Sequence, residues 1–186
     1  MADIRFNLTS AADLDCMVAQ PTINGGWMAG NLPPGMLGSG MYLIWNRLTN
    51  NRYAGVSGNL QNRFQKRYET ITECGFPTNA MREIVVFWGG AQSRDTPAYN
   101  NQNPAWVQVQ NHTNHVIDNI SIDPERILIA FIMRHFTGGT VTNNVKVGLY
   151  GDPGLQNNIM VTLNWGASNT IQAGSHNATW APGNNF

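Results

Sequence analysis

The segment SIDPERILIAFIMRHF, residues 121–136, constrains the fold more than any other part of the chain. Asp123 stands at an N-cap position and Pro124 at the first helical position, where a missing N–H costs nothing. From there to Phe136, ahead of Gly138-Gly139, the run is apolar on all sides. A helix of that kind belongs in a core rather than on a surface, so the chain must build a folded domain around it. Its first turn holds one acid, Glu125.

The elements that precede this helix can be read in order. MYLIW, starting at Met41, is an apolar run of β type. LTNNR then carries the Asn-Asn of a tight turn, and YAGV is a second short run, so the stretch from Gly40 to Val56 predicts a hairpin. NLQNRFQKRYETITECG places Leu60, Phe64 and Ile71 at helical spacing, with Arg63, Lys66 and Arg67 on other faces and Gly75 as a stop. REIVVFWGG is the strongest strand candidate, expected in the centre of the sheet and ending at its Gly-Gly pair. Between it and the apolar helix lies a polar stretch with two prolines, read as a long loop with at most a short strand or helical turn near Trp106.

The ends are less patterned. Asp13 to Ala19 suggests a short helix, and INGGWMAGNLPPGMLGSG reads as a lead-in loop. After the apolar helix, VKVGLY and IMVTLNW predict added strands, and the tail from Gly174 to Phe186 is expected to be loose. MADIRFNLTS has no apolar h-region, and no apolar run reaches the roughly 18 residues that span a bilayer. The expectation is a soluble chain, cytoplasmic or exported without a cleaved signal, with no membrane partner. Cys16 and Cys74 lack metal-ligand spacing and say little about compartment.

Charge matters here because it decides what partners the surface can attract. Lys and Arg total 11 and so do Asp and Glu, and charged residues are only 12% of the chain. The net charge therefore exerts no long-range pull on nucleic acid, which counts against a nuclease. Its distribution is more informative: Arg47, Arg52, Arg63, Lys66 and Arg67 are five of the eleven basic residues, with no acid among them. A local cationic surface of this kind suits phosphate, although a solvated helix face accounts for it equally well.

The order of hairpin, basic helix, central strand and acid-bearing helix resembles the GIY-YIG nuclease family. Gly40-Met41-Tyr42 stands where that family has its first signature tripeptide and Tyr53-Ala54-Gly55 where it has the second. Ser57, Asn59 and Leu60 then lead into Arg63, at the spacing expected of the family's helix arginine. The resemblance covers roughly residues 38 to 147 and implies a metal-binding glutamate on the later helix, matched by Glu125, and an asparagine after it, matched by Asn143 or Asn144. Where many members carry a histidine four residues after the arginine, this chain has Arg67.

What the resemblance implies agrees with the chemistry of phosphodiester hydrolysis, which needs an activated water, a counter-charge for the phosphate oxygens and a metal to assist the leaving oxygen. Tyr42 or Tyr53 would relay a proton once a nearby cation lowered its phenol pKa. Arg63 would hold the scissile phosphate, with Ser57, Arg52, Lys66, Arg67, Asn143 and Asn144 as further substrate contacts. Glu125 would ligate one Mg²⁺ or Mn²⁺. Structural roles compete with each of these: a strand tyrosine is usually a half-buried aromatic, and a first-turn Glu favours a helix N-terminus by about 0.3 to 1 kcal/mol. Weaker candidates are His112 with His115 as metal ligands, His135 at a helix C-terminus, Ser57 and Ser93 without a nucleophile-elbow context, and Trp106 as a base-stacking surface.

The expected fold is therefore α/β (α+β): a small, central, mainly antiparallel sheet flanked by helices, of GIY-YIG type, with extra C-terminal β-strands. Residues 1–37 are expected as an N-terminal extension packed on the core, 38–147 as the GIY-YIG-like nuclease core and 148–186 as a C-terminal β-rich extension. The expected function is a metal-dependent endonuclease acting on DNA, of restriction type or a delivered antibacterial toxin with an immunity partner. The alternatives are a non-catalytic binding or structural module on the same scaffold, and an RNase.

Overall fold

The computed structural model describes residues 1–13, 36, 38–66, 84–96, 105–143, 146 and 148–186. The chain enters the sheet at once, because Ala2, Ile4, Phe6 and Leu8 alternate with polar residues and all four are fully buried. This strand, β1 (Ala2–Asp13), pairs antiparallel with β4 (Ile84–Arg94) and parallel with β8 (Ile159–Trp165). Residues expected in an N-terminal extension thus supply a strand in the middle of the sheet. The short helix expected from Asp13 lies, beyond Asp13 itself, outside the described residues; Asp13 ends β1.

The hairpin forms as expected from β2 (Gly40–Asn46) and β3 (Arg52–Ser57), paired antiparallel from Gly40↔Ser57 to Trp45↔Arg52. Its turn uses Asn50 at φ +57°, which an Asn side chain tolerates better than most. The Asn46 carboxamide accepts from the Leu48 and Thr49 N–H groups and so closes the turn. The helix α1 (Leu60–Lys66) follows, and β4 lies against the other side of β2. With β9 (Gly174–Trp180) beyond β8, the strand order is β3-β2-β4-β1-β8-β9, and β5 (Val107–Gln108) pairs with the end of β4. Among the described strands of this sheet all pairings are antiparallel except β1 with β8, which makes the sheet mixed.

Alternation along β2 assigns the two faces. Tyr42 and Ile44 pack with Leu60 and Phe64 of α1, together with Ile84, Val86 and Trp88. Met41 and Leu43 face the other way, into the larger core built by α2 (Pro124–His135) with Val85, Phe87 and the apolar residues of β1 and β8. The segment that most constrained the sequence reading is this helix, and Ile127 through Ile132 are all buried. Asp123 caps it by accepting from the Arg126 N–H.

Several local expectations are corrected. Gly89-Gly90 does not end β4, which runs on to Arg94, because β1 bulges opposite it: Asn7 pairs with Gly90 and Ser10 with Trp88, so Leu8 and Thr9 face Gly89 alone. The bulge also exchanges the faces of β1, from Leu8 to Ala11 on the α2 side. The tail from Gly174 is not loose: β9 pairs along the whole of β8, and Trp180 and Phe186 are buried with Phe131 and Tyr150. The long loop before α2 holds a further hairpin of β6 (His115–Ile117) and β7 (Ile120–Ile122). The strand expected at VKVGLY is absent from Lys146 and Gly148–Tyr150, its described residues. Among the described residues, no helix is long and apolar enough to cross a membrane.

Candidate functional site

The hairpin sequence explains how Tyr42 is placed. Tyr42 and Gly55 are cross-strand partners, and a Cβ at Gly55 would stand 2.8 Å from the Tyr42 hydroxyl oxygen. Gly40 is equally confined, 2.7 Å from the Gly89 carbonyl oxygen if given a Cβ. The glycine of each tripeptide therefore has a packing reason of its own.

Tyr42, Tyr53 and Arg63 come together on the α1 face. The two tyrosine rings stack with centroids 6.2 Å apart, Phe64 meets Tyr42 edge-on at 5.2 Å, and the Arg63 guanidinium lies 5.7 Å from the Tyr42 ring centroid. Tyr42 is fully buried, whereas Tyr53 is partly exposed. The Tyr42 hydroxyl and Arg63 Nε are buried without a partner of hydrogen-bond geometry among the described residues, so this pair has unmet polar capacity. Burial drives the Tyr42 phenol well above its ordinary range, and the opposing charge of Arg63 does not compensate. The expected lowering of a phenol pKa by a neighbouring cation is thus overturned at Tyr42, because desolvation is the larger effect.

Glu125 and Asn143 reach the same hairpin from its outer edge. The N–H groups of Arg52, Ala54 and Val56 point away from β2, where an unpaired edge strand would expose them. They donate instead to the Thr140 carbonyl at 2.9 Å, Asn143 Oδ1 at 3.1 Å and Glu125 Oε1 at 3.2 Å. Asn143 Nδ2 in turn donates to the Ala54 carbonyl at 2.6 Å, so one buried carboxamide imitates a peptide unit of a neighbouring strand. Glu125 Oε2 accepts from Lys146 Nζ at 2.5 Å, and the same ammonium lies 2.9 Å from Asp123 Oδ2. Burial alone would lower the Lys146 pKa, but its bonds to Glu125 and Asp123 outweigh that and leave it raised.

The remaining expected residues are divided. Ser57 closes β3, where its hydroxyl donates to the Asn59 carbonyl and accepts from the Asn59 N–H. Arg52 is not with the tyrosines: it is buried on the α2 side, donating through Nη1 to the Phe136 carbonyl at 2.9 Å. The Lys66 side chain, Arg67 and Asn144 lie outside the described residues. His115 Nε2 is 2.7 Å from Ser93 Oγ, and His112 is lowered by burial while the charge of Glu125 opposes that shift. His135 ends α2 with its ring tilted against those of Phe131 at 4.9 Å and His176 at 5.0 Å.

Sequence reasoning missed Lys146, Asp123 as its second partner, and a cationic surface around Trp106. Arg5 and Arg94 lie 3.7 and 4.5 Å from the Trp106 ring centroid, with Arg94 also paired to Asp3. Gln92 and Arg94 share the alternation of Trp88, which places this patch on the tyrosine side of the sheet. Its signal was the alternating Asp3-Ile4-Arg5 pattern, which marks a strand with a polar face. Comparison with known proteins finds no matching family model, no similar curated protein and no similar solved structure.

Proposed function

We propose that the chain is a metal-dependent endonuclease of GIY-YIG type that hydrolyses phosphodiester bonds in DNA. One observation supports this above the others: three separated stretches of chain, carrying Tyr42, Glu125 and Asn143, converge on Ala54-Gly55-Val56, with Arg63 beside the first of them. Tyr42 lies over Gly55, and Arg63 lies beside Tyr42. Asn143 grips Ala54, and Glu125 binds Val56.

In this reading Tyr53, partly exposed and stacked on Tyr42, takes the proton of the attacking water, while buried Tyr42 sets the position of its partner. Arg63 holds the phosphate, satisfying its unpartnered Nε. Glu125 and Asp123 fit a hard divalent ion in donor chemistry, since they already hold one cation, the Lys146 ammonium, between them. Mg²⁺ or Mn²⁺ bound there in exchange for Lys146 would polarise a phosphate oxygen and stabilise the leaving oxygen. Plasmid DNA incubated with Mg²⁺ or Mn²⁺ is expected to be cut by the wild-type chain, and by neither Glu125→Gln nor any sample in EDTA. Cutting of RNA alone reassigns the substrate, and absence of cutting on both sinks the hydrolytic reading.

A second reading, a non-catalytic binding module on this scaffold, is favoured by the engagement of both Glu125 oxygens. Lys146→Met separates the two. Without the ammonium, two partly buried carboxylates face each other, a loss of about 1–3 kcal/mol and roughly 2–4 °C of melting temperature for each kcal/mol. If the pair takes up a divalent ion, millimolar Mn²⁺ restores the melting temperature of Lys146→Met while leaving wild type nearly unchanged. A variant indifferent to Mn²⁺ makes the carboxylates structural.

A further inference from the structure

On the opposite side of the sheet from the tyrosines, a cavity of about 260 Å³ opens beside the C-terminal end of α2. Its walls are Trp45 of β2, Phe87 of β4, Phe136, and Leu163 and Trp165 of β8, closed by Ile171 and Gln172 of the loop between β8 and β9. The apolar character follows from the alternation that also turns Leu43 and Phe87 into the α2 core. What does not follow from it is Arg52, which lines the same cavity although only 6% of its surface is exposed.

A guanidinium carries five donors and keeps its charge, and a buried one is ordinarily matched by a carboxylate. The Arg52 side chain has one hydrogen bond, to the Phe136 carbonyl, and ring contacts at 5.3 Å to Trp45 and 5.6 Å to Phe136. Arg52 takes part in no ion pair with a described residue, unlike Arg94, which pairs with Asp3, and Lys146, which pairs with Asp123 and Glu125. Burial lowers its pKa, and no described acid acts in the other direction.

The walls are held in place. Asp13, itself buried, accepts from the hydroxyls of Ser168 and Thr170 and from the Asn169 N–H at 2.7 Å, which fixes the loop that carries Ile171. Trp165 Nε1 donates to the Gln172 carbonyl at 3.1 Å and Trp45 Nε1 to Asn50 Oδ1 at 3.2 Å, so both indoles have fixed orientations. Phe136 meets Trp165 edge-on at 5.6 Å.

We infer that this cavity is a binding site for a small anion with a flat apolar body, an aromatic carboxylate in chemical class, whose charge pairs with Arg52 and whose ring lies among Trp45, Phe136 and Trp165. Charge complementarity selects the anion: the site offers one unmatched cation in a lining that is otherwise apolar apart from Gln172. The volume selects size, being just below the roughly 300–1,000 Å³ of sites for drug-sized ligands. The four aromatic walls, Trp45, Phe87, Phe136 and Trp165, select a flat body over a branched one. The inference is independent of the nuclease reading, since none of its lining residues except Arg52 was expected to contact substrate, and its test uses no nucleic acid.

Calorimetric titration of the full chain with 2-naphthoate and with neutral 2-naphthamide tests it. The carboxylate is expected to bind at least tenfold more tightly than the amide, and Arg52→Met to erase that preference. Because Arg52 also supports the Phe136 carbonyl, Ile171→Trp serves as a second variant that fills the cavity and leaves the guanidinium in place; it is expected to abolish binding of both probes. Indole N–H resonances provide the location, with those of Trp45 and Trp165 shifting on titration and that of buried Trp180 staying fixed. Equal affinity for the two probes, no binding of 2-naphthoate to wild type, unchanged binding to Ile171→Trp, or shifts confined to other tryptophans would each overturn the assignment.

Discussion

Gly89→Ala is expected to destabilise the chain more than any other single methyl group added at a described glycine in the sheet. An alanine Cβ there would lie 1.8 Å from the Asn7 carbonyl oxygen, 2.9 Å from its carbon and 3.2 Å from the Leu8 Cα. All three neighbours are backbone, so no rotamer change relieves the clash, and β1 must move away from β4 at the bulge. Both strands sit in the interior of the sheet, with β2 beyond one and β8 beyond the other, and a local shift is transmitted to those pairings. The loss should approach the roughly 4 kcal/mol that marks exceptional substitutions, a fall in melting temperature of about 2–4 °C for each kcal/mol. Gly58→Ala is the control: it is exposed with nothing within 4 Å of the added Cβ, so the substitution should be neutral or stabilise by about 0.4–1 kcal/mol through the unfolded chain. Equal melting temperatures for the two variants would contradict the bulge.

That bulge also marks the limit of what local sequence reveals. The β2–β3 hairpin, α1, the apolar part of β4 and α2 were legible because their signals are short-range: a turn of two asparagines, a helical spacing, a run of β-branched residues, an N-cap followed by proline. The sign of a central β1 was present too, in the strict alternation from Ala2 to Leu8, but an inspection for apolar runs passes over single apolar residues set between Asp3, Arg5 and Asn7. Gly89-Gly90 carries the composition of a stop, and only a partner strand some 80 residues away in sequence converts it into the flat side of a bulge. The parallel pairing of β1 with β8 has no local signature at all, since both strands would look the same in any register. At the candidate site, residue types and spacing were readable, but burial was not. Nothing within Gly40-Met41-Tyr42 distinguishes a tyrosine roofed by Phe64 from one open to water, and nothing near Glu125 in sequence announces Lys146. Arg52 was grouped with Arg63 by proximity along the chain, whereas strand alternation sends it to the opposite side.

If the chain is the nuclease proposed above, Arg63→Ala is expected to reduce hydrolysis about 10²- to 10³-fold, the range for loss of one preorganised donor to developing negative charge, while leaving the fold nearly unaffected. The stability side follows from its setting. Arg63 is partly exposed on a short helix, alanine is the better helix former, and the lost ring contact with Tyr42 is worth about 0.5–1 kcal/mol. Arg63→Lys should not restore the rate, because an ammonium lacks the planar fork that engages two phosphate oxygens. The tyrosines provide the internal comparison. Tyr42→Phe removes a buried hydroxyl that has no partner of hydrogen-bond geometry, so stability should hold or rise, and activity should survive because a phenol displaced this far upward stays protonated and supplies no base. Tyr53→Phe should lose activity on the scale of a general base, about 10²- to 10⁴-fold. The reverse pattern, with Tyr42→Phe inactive and Tyr53→Phe active, would transfer the proton relay to the buried ring and require it to open on binding substrate. Wild-type cutting by Arg63→Ala would remove the arginine from the reaction altogether, and with it the main reason for placing the chemistry on the α1 side of the sheet.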